Sequence, residues 1–541
     1  MTVVTDPTKT GIANDRVAYY LSPGGGDDTL NIQNALNAAV ASGGLVYLNS
    51  GVFHISNTLH VAGSNVAIQG AGIGKTVIQG TTATYPGYAG PNGVQAYAAL
   101  ALVAASHCSV RDLTVDHFTH SVDANGIIMV PDGASGAGTI CTDCQVMDCE
   151  VLSVPNHSYQ IWSQRGQSIK ILRNYVNGNY NPTGNAATDP DYEGIEVMGG
   201  YDVLVADNTL ENLSTGIYVW GTAGIAGGDA RYVRVCGNYS LNVDCAVKFT
   251  PAYTSSISTG VYDLLVRGNH VNGALYCGIL GQVTEASAVA QDIEIVSNQI
   301  ASSLMGIWMD NQLTSGTLTR CRVNGNTVTG ATSATLGAIS VQYISASQIA
   351  GNIVDNSGGY GLWALESTTL DIGDNTVVSC GKSALVMNTV SNSRIHDNLF
   401  QGYNALGGGT NAIPLTACTN LDIVRNAFSL NGSAEVYAVQ MGSDSAGIRL
   451  KDNRLLYIPT FASPFNNAST NPWEFDVVIA ASSASTSVAH NMAVYSGVRL
   501  AVTQIAGVAQ PVTVTISGGD FVFALAAATT AAVTYRAEIV Q

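Results

Sequence analysis

The chain has 541 residues, of which 11% are charged and 58 are glycine, and its 38 Asp and Glu outweigh 21 Lys and Arg for a formal charge of −17. That balance argues against non-specific nucleic-acid binding, which runs on Lys and Arg neutralising phosphates; acidity of this kind serves solubility. No stretch of about 18 apolar residues is present to span a membrane, and Met1 to Asp28 lacks a basic segment followed by an apolar one, so no signal peptide is visible.

In chain order, Asp27-Asp28-Thr29 followed by Leu30, Leu36, Ala39 and Val40 predicts a capped amphipathic helix that ends at Gly43-Gly44. Such a helix would plug the open end of a stacked fold. The ten Cys lie mostly inside β-like runs. Cys141 and Cys144 with Cys149 form half a zinc pattern, but no second pair follows at ligand spacing, so buried reduced thiols are expected. A reducing compartment at synthesis follows from that reading.

From about residue 100 to 455 one pattern recurs: apolar, variable, apolar, two variable residues, then Asn. It runs Ile169-Lys-Ile171-Leu-Arg-Asn174, Val203-Leu-Val205-Ala-Asp-Asn208 and Val233-Arg-Val235-Cys-Gly-Asn238, and continues through Asn269, Asn298, Asn326, Asn352, Asn375, Asn398, Asn426 and Asn453. The steps are 23 to 34 residues long. Within each step the apolar residues alternate in short runs rich in Val and Ile, which marks strands, not helices. A coil that returns beside itself stacks its strands in parallel at roughly 4.8 Å per turn. The expected fold is therefore an all-β, single-stranded parallel β-helix of about a dozen coils with an Asn ladder at one corner. Cys149 and Asp116 are expected at that corner in earlier coils. After about 470 the Asn pattern stops, and Pro511 to Ser517, Phe521 to Phe523 and Val533 to Val540 predict an antiparallel β module. The expected division is a cap and first coils over 1–100, a helix body over 101–465 and a C-terminal module over 466–541.

The opening of the chain resembles a known family. Gly26-Asp27-Asp28-Thr29-Leu-Asn-Ile-Gln33, Gly43-Gly44-Leu-Val-Tyr-Leu-Asn-Ser-Gly51 and Val66-Ala-Ile-Gln-Gly70-Ala-Gly72 are similar to the start of pectate-lyase-like right-handed β-helix proteins, phage tailspike depolymerases among them. The resemblance implies a right-handed helix and action on polysaccharide, on a phage particle or outside a cell, with a cytoplasmic site as the alternative. It also implies a homotrimer as one assembly. It is specific for fold rather than chemistry, since the superfamily holds hydrolases, lyases, epimerases and inactive binders. No calcium cluster of the pectate-lyase kind and no phosphate loop is present, so neither metal nor cofactor is expected.

A second strand in each coil begins with Gly or Ala and then an apolar residue. Alternation points the residue after that apolar one outward, which aligns Glu196, Tyr218, Lys248, Leu280, Trp308, Ser340 and Trp363, with Trp220, Gln282, Asp310 and Gln342 in the neighbouring column. An ordinary solvated face would be Thr, Ser, Asn and Lys. Three of the five Trp fall here instead, beside long inserts, so this face is the expected substrate groove. Glycoside hydrolysis needs two carboxyls about 5 to 9.5 Å apart. Glu196 and Asp310 are four coils and so about 19 Å apart, which fails; Asp229 or Asp191 is the expected partner of Glu196, and Glu285 that of Asp310. A lyase or epimerase would use Tyr218 as proton carrier and Lys248 to neutralise a uronate. A glycan-binding spike without catalysis would use the same aromatic residues.

Overall fold

The structure, a computed structural model, describes residues 2–4, 17–81, 87–90, 92–116, 125–133, 138–152, 158–183, 192–221, 228–251, 253–254, 257–301, 303–311, 316–403, 411–429, 438–442 and 444–457, and then strands at 465–467, 473–479, 485–489, 499–506, 512–517, 520–525 and 533–540. The chain divides into two compact units, 1–294 with 312–317 and 295–311 with 318–541.

In the first unit three walls of parallel strands enclose the core. The first wall includes Ala98–Val103, Asn125–Val130, Ser158–Gln164, Tyr192–Met198, Thr209–Trp220 and Tyr239–Thr250. The second runs through Val66–Gly70, Ser109–Arg111, Gln145–Met147, Gln167–Leu172, Gly200–Ala206, Arg234–Cys236 and Leu265–Arg267. The third takes Thr76–Gly80, Thr114–Asp116, Glu150–Leu152, Tyr175–Asn177 and the leading halves of the long strands Thr209–Trp220, Tyr239–Thr250 and His270–Val283. Inward residues such as Ile171, Val205 and Val235 are wholly buried, which is what alternating Val and Ile accomplish when one face is covered.

The Asn corner joins the second wall to the third. Asn174 donates from its backbone N–H (2.9 Å) and from Nδ2 (3.0 Å) to Asn208 Oδ1, Asn208 does the same to Asn238, and Asn238 to Asn269. Each Nδ2 also reaches a carbonyl one coil back, as Asn208 does to Ile171. The residue before each Asn is left-handed: Arg173, Asp207, Gly237 and Gly268 have φ between 53° and 66°. That sharp bend costs about 1 kcal/mol for a residue with a β-carbon, and the buried ladder offsets it. Cys149 holds the corner below Asn174, its N–H donating to Asn174 Oδ1 at 3.0 Å. Asp116 does not. The corner below Cys149 is Leu113, whose carbonyl accepts from Glu150 N–H, and Asp116 lies three residues on, beside Leu152.

The helix Thr29–Ser42 forms and buries Ile32, Ala35, Leu36 and Ala39. Its capping differs from expectation: Asp28 makes no side-chain cap and accepts Gly24 N–H instead, while Asp27 holds Thr29 N–H at 3.0 Å. It is the one helix among the described residues, and no helix is long and apolar enough to cross a membrane. None of the ten Cys is in a disulfide, and nine are buried. Cys141 and Cys144 direct their thiols at the carbonyls of Leu102 and Ala105. Burial pushes Cys149 and Cys245 up to about 12, so both stay protonated thiols.

The second unit repeats the plan. Its walls include Met305–Asn311, Gly337–Gln342, Tyr360–Leu365 and Leu385–Asn388; then Ser345–Ala350, Thr368–Gly373, Ser391–His396 and Thr419–Val424; and Thr327–Thr329, Ile353–Asp355 and Thr376–Val378. Its own ladder runs from Asn298 through Asn326, Asn352, Asn375, Asn398 and Asn426 to Asn453. At the Asn398 corner His396 stands between Asp371 and Asp397, 2.8 Å from each. Arg425 and His396 hold the Asp397 carboxyl well down, to about 2. Antiparallel pairing begins where Trp473–Ile479 meets Val533–Val540, which also pairs Arg499–Ala506, and Asp520–Leu525 lies between Ser485–Ala489 and Val512–Ser517.

Asn238→Ala should destabilise the protein by on the order of 3 kcal/mol, because it leaves the buried Asn208 N–H without its acceptor; the denaturant midpoint measures this. Asp397 contributes stability that is full above its unfolded value of 3.8 and is lost as pH falls toward about 2. The urea midpoints of the native protein and Asp397→Asn should therefore converge as pH falls through that window.

Candidate functional site

The first wall of the first unit carries two outward columns. Ile161, Ile195, Ile217, Val247 and Ile279 are in register and buried, and the residue after each forms the column Trp162, Glu196, Tyr218, Lys248, Leu280. Beside it run Gln164, Met198, Trp220 and Thr250. The order expected from alternation holds from Glu196 to Leu280. Exposure along it does not follow: Glu196 has 0% of its surface exposed and Leu280 is buried, whereas Tyr218, Trp220 and Lys248 are half-buried.

Rings from adjacent coils close over Glu196. The Trp220 indole N–H donates to Glu196 Oε1. The Tyr218 and Trp220 rings stack at 5.6 Å with 5° between planes, and Lys248 Nζ lies 4.9 Å from the Tyr218 ring centre, within cation–π range. On the other side of Glu196 stands Trp162, its ring 5.3 Å from that of Tyr159. Trp162 was absent from the expected column because its strand reads Gln160-Ile161-Trp162, with Gln in the place that other coils give to Gly or Ala. Gln160 is fully buried and faces Gly194 of the next coil; among the described residues neither amide atom has a hydrogen-bond partner.

The other expected residues divide. Asp229 belongs to the corner at Gly200, whose N–H its carbonyl accepts, and its carboxylate takes Gly260 N–H at 2.8 Å and Arg231 at 2.9 Å. Arg231 lies 4.1 Å over the Tyr262 ring, and Asp229 raises the Arg231 value above that of a free guanidinium. Asp229 is thus tied into the turn rather than turned to Glu196. Asp191 lies outside the described residues. Glu193, on the same strand as Glu196, is buried and in register with Thr215. Gln282 is half-buried, and Glu285 sits exposed in the turn that Ala288 N–H closes.

In the second unit Trp308, Ser340, Trp363 and Val386 form one column, with Asp310, Gln342, Leu365 and Asn388 beside it. Asp310 is 4% exposed. Ser340 is buried and donates to the Gly337 carbonyl. Trp363 meets Tyr360 edge-on at 4.9 Å, and Lys382 Nζ lies 5.0 Å from that Tyr ring.

An apolar aromatic surface with a few fixed polar groups is the composition of a small-molecule or glycan site, here on a coiled parallel scaffold. Residues 257–428 match the family described as right-handed β-helix region, and residues 18–237 match the one described as rhamnogalacturonase A/epimerase, pectate lyase-like. The chain is a right-handed parallel β-helix, and over residues 18–237 it is similar to the pectate-lyase-like proteins. Among solved structures it is similar to a variant of the tailspike protein of E. coli bacteriophage HK620 in complex with a hexasaccharide, at 12% identity, covering 96% of this chain and 91% of that one with a TM-score of 0.52. A double mutant of the same tailspike with a pentasaccharide matches at 12% identity and the same coverage, with a TM-score of 0.50. No curated protein matches the sequence.

Trp220→Phe removes the indole donor from a buried carboxyl and should cost roughly 1–3 kcal/mol of stability. Thermal unfolding measures it, and Trp162→Phe, which removes no bond to Glu196, serves as the control.

Proposed function

We propose that this protein binds a polysaccharide along the column from Trp162 to Leu280 and hydrolyses its glycosidic bonds, with Glu196 as one of two catalytic carboxyls. Glu196 carries the reading: a carboxyl without exposed surface, held by an indole N–H, between half-exposed rings. A glycosidase acid must hold its proton until the leaving oxygen takes it, in a site that limits water. The Tyr218 and Trp220 pair offers a flat apolar surface for a sugar ring, and Lys248 a donor for its oxygens. Asp191 is the preferred second carboxyl, because Asp229 is committed to Arg231 and Gly260. In the second unit Trp308, Trp363, Gln342 and Asp310 are proposed to hold sugar, and Gln282 and Glu285 to do so in the first. The oligosaccharides bound to the HK620 tailspike support a saccharide ligand, and with it a place on a phage particle or outside a cell. Assembly as a homotrimer is part of the same proposal and calls for a sedimentation mass of three chains.

The placement of Lys248 over Tyr218 favours one second reading. There Tyr218 moves the proton next to a uronate carboxylate that Lys248 neutralises, as a lyase or C5-epimerase requires.

Against a glycan panel, new reducing ends without an unsaturated uronate chromophore identify the hydrolase, and the chromophore identifies the lyase. Glu196→Gln should lower hydrolysis by about 10²–10⁴-fold, and Asp229→Asn far less. Full activity in Glu196→Gln removes the assignment, and glycan binding with no product at all makes the protein a binder.

A further inference from the structure

On the second wall of the second unit, Asp371, Arg394, Asp422 and Arg449 follow one another in register on successive coils. Alternating signs at about 4.8 Å should pair neighbours. Among the described residues only Asp422 and Arg449 pair in this way, and Arg394 is left out. Asp371 has His396 Nε2 2.8 Å from one oxygen and accepts from Gln348 Nε2 at 3.2 Å on the other. Asp422 takes Arg449 in a fork, 2.8 Å to each oxygen. Three of the four carboxylate oxygens thus accept a hydrogen bond, and the fourth, Asp371 Oδ1, lies 2.8 Å from the His396 ring. Arg394 is exposed, and no hydrogen bond or ion pair of its guanidinium occurs among the described residues.

Arg394 lines a cavity of about 420 Å³ with Thr369, Asp371, Asn392, Asn420 and Asp422, a volume within the roughly 300–1,000 Å³ of small-molecule sites. Asn392 and Asn420 are left-handed, with φ of 50° and 54°, and Asn420 Nδ2 donates to Asn392 Oδ1 at 3.1 Å. That single bond leaves Asn392 Nδ2 as donor and Asn420 Oδ1 as acceptor. The next position in this left-handed column is Gly447 (φ 67°), where a β-carbon would stand 2.6 Å from Asn420 Oδ1. Glycine there keeps the cavity open.

We propose that this cavity is a binding site for an acidic sugar, a uronate whose carboxylate takes the Arg394 fork and whose hydroxyls meet Asn392 and Asn420. A planar guanidinium matches a carboxylate with two parallel bonds, which an ammonium does not. Arg449 balances the charge of Asp422, and Asp371 is engaged by Gln348 and His396. The site lies in the second unit and stands independently of any role for Glu196.

The test is titration of the full chain with sodium glucuronate, with glucose and sodium sulfate as comparison probes, followed by saturation-transfer NMR and calorimetry. Glucuronate is expected to bind and glucose not to. Arg394→Gln should weaken binding about tenfold or more, and Arg394→Lys should fall between. Glu196→Gln should leave it unchanged, which separates this site from the first. Arg394 makes no bond that supports the fold, so an unchanged melting temperature checks that its variants are intact. Binding that survives Arg394→Gln, glucose binding as tightly as glucuronate, or sulfate binding as tightly as glucuronate would each overturn the proposal.

Discussion

The structure depends on a bend of two residues. A left-handed residue turns the chain from one wall to the next, and the buried Asn that follows ties the bend to the coils on either side. Without the bend the strands could not return in parallel beside themselves; without the amide, a buried backbone N–H in the ladder would lack an acceptor. Both walls take their register from this corner. Register in turn fixes which residues stand in the column with Glu196 and which beside Arg394.

The corner was the most legible feature of the sequence because one residue type does one job at a nearly constant interval. Asn is the side chain that can accept from a neighbour's backbone and amide N–H while donating to a carbonyl and to the next Asn. Legibility ended where another residue did that job by other means. Leu113 and Cys149 fill the corner by burial, each after a left-handed Asp, Asp112 or Asp148. A pattern keyed to Asn passes over Leu113, which is apolar. The helix was visible from its apolar spacing, but its cap was not, since which of two adjacent Asp turns inward depends on Gly24 and Thr29.

The site was legible as an order, not as an environment. Alternation alone places Glu196, Tyr218, Lys248 and Leu280 in one column, because the side-chain period of a strand is two. It does not say that Glu196 is sealed while Tyr218 is half-open. That difference arises from rings contributed by other coils, Trp162 before and Trp220 after. Trp162 falls outside the pattern of Gly or Ala before the apolar residue because Gln160 takes the place of the usual small residue, opposite a glycine. Asp229 is suggested by its place on the insert of the next coil, yet Arg231, two residues away, claims it.

The amides of a ladder all point one way. In each unit the Asn of one coil offers two N–H groups to the oxygen of the Asn that follows it in sequence, never the reverse. Each coil therefore presents a donor pair to the coil that follows it and an acceptor to the coil before it. Coil by coil, the ladder thus has a polarity, with donors facing the C-terminal side and acceptors the N-terminal side.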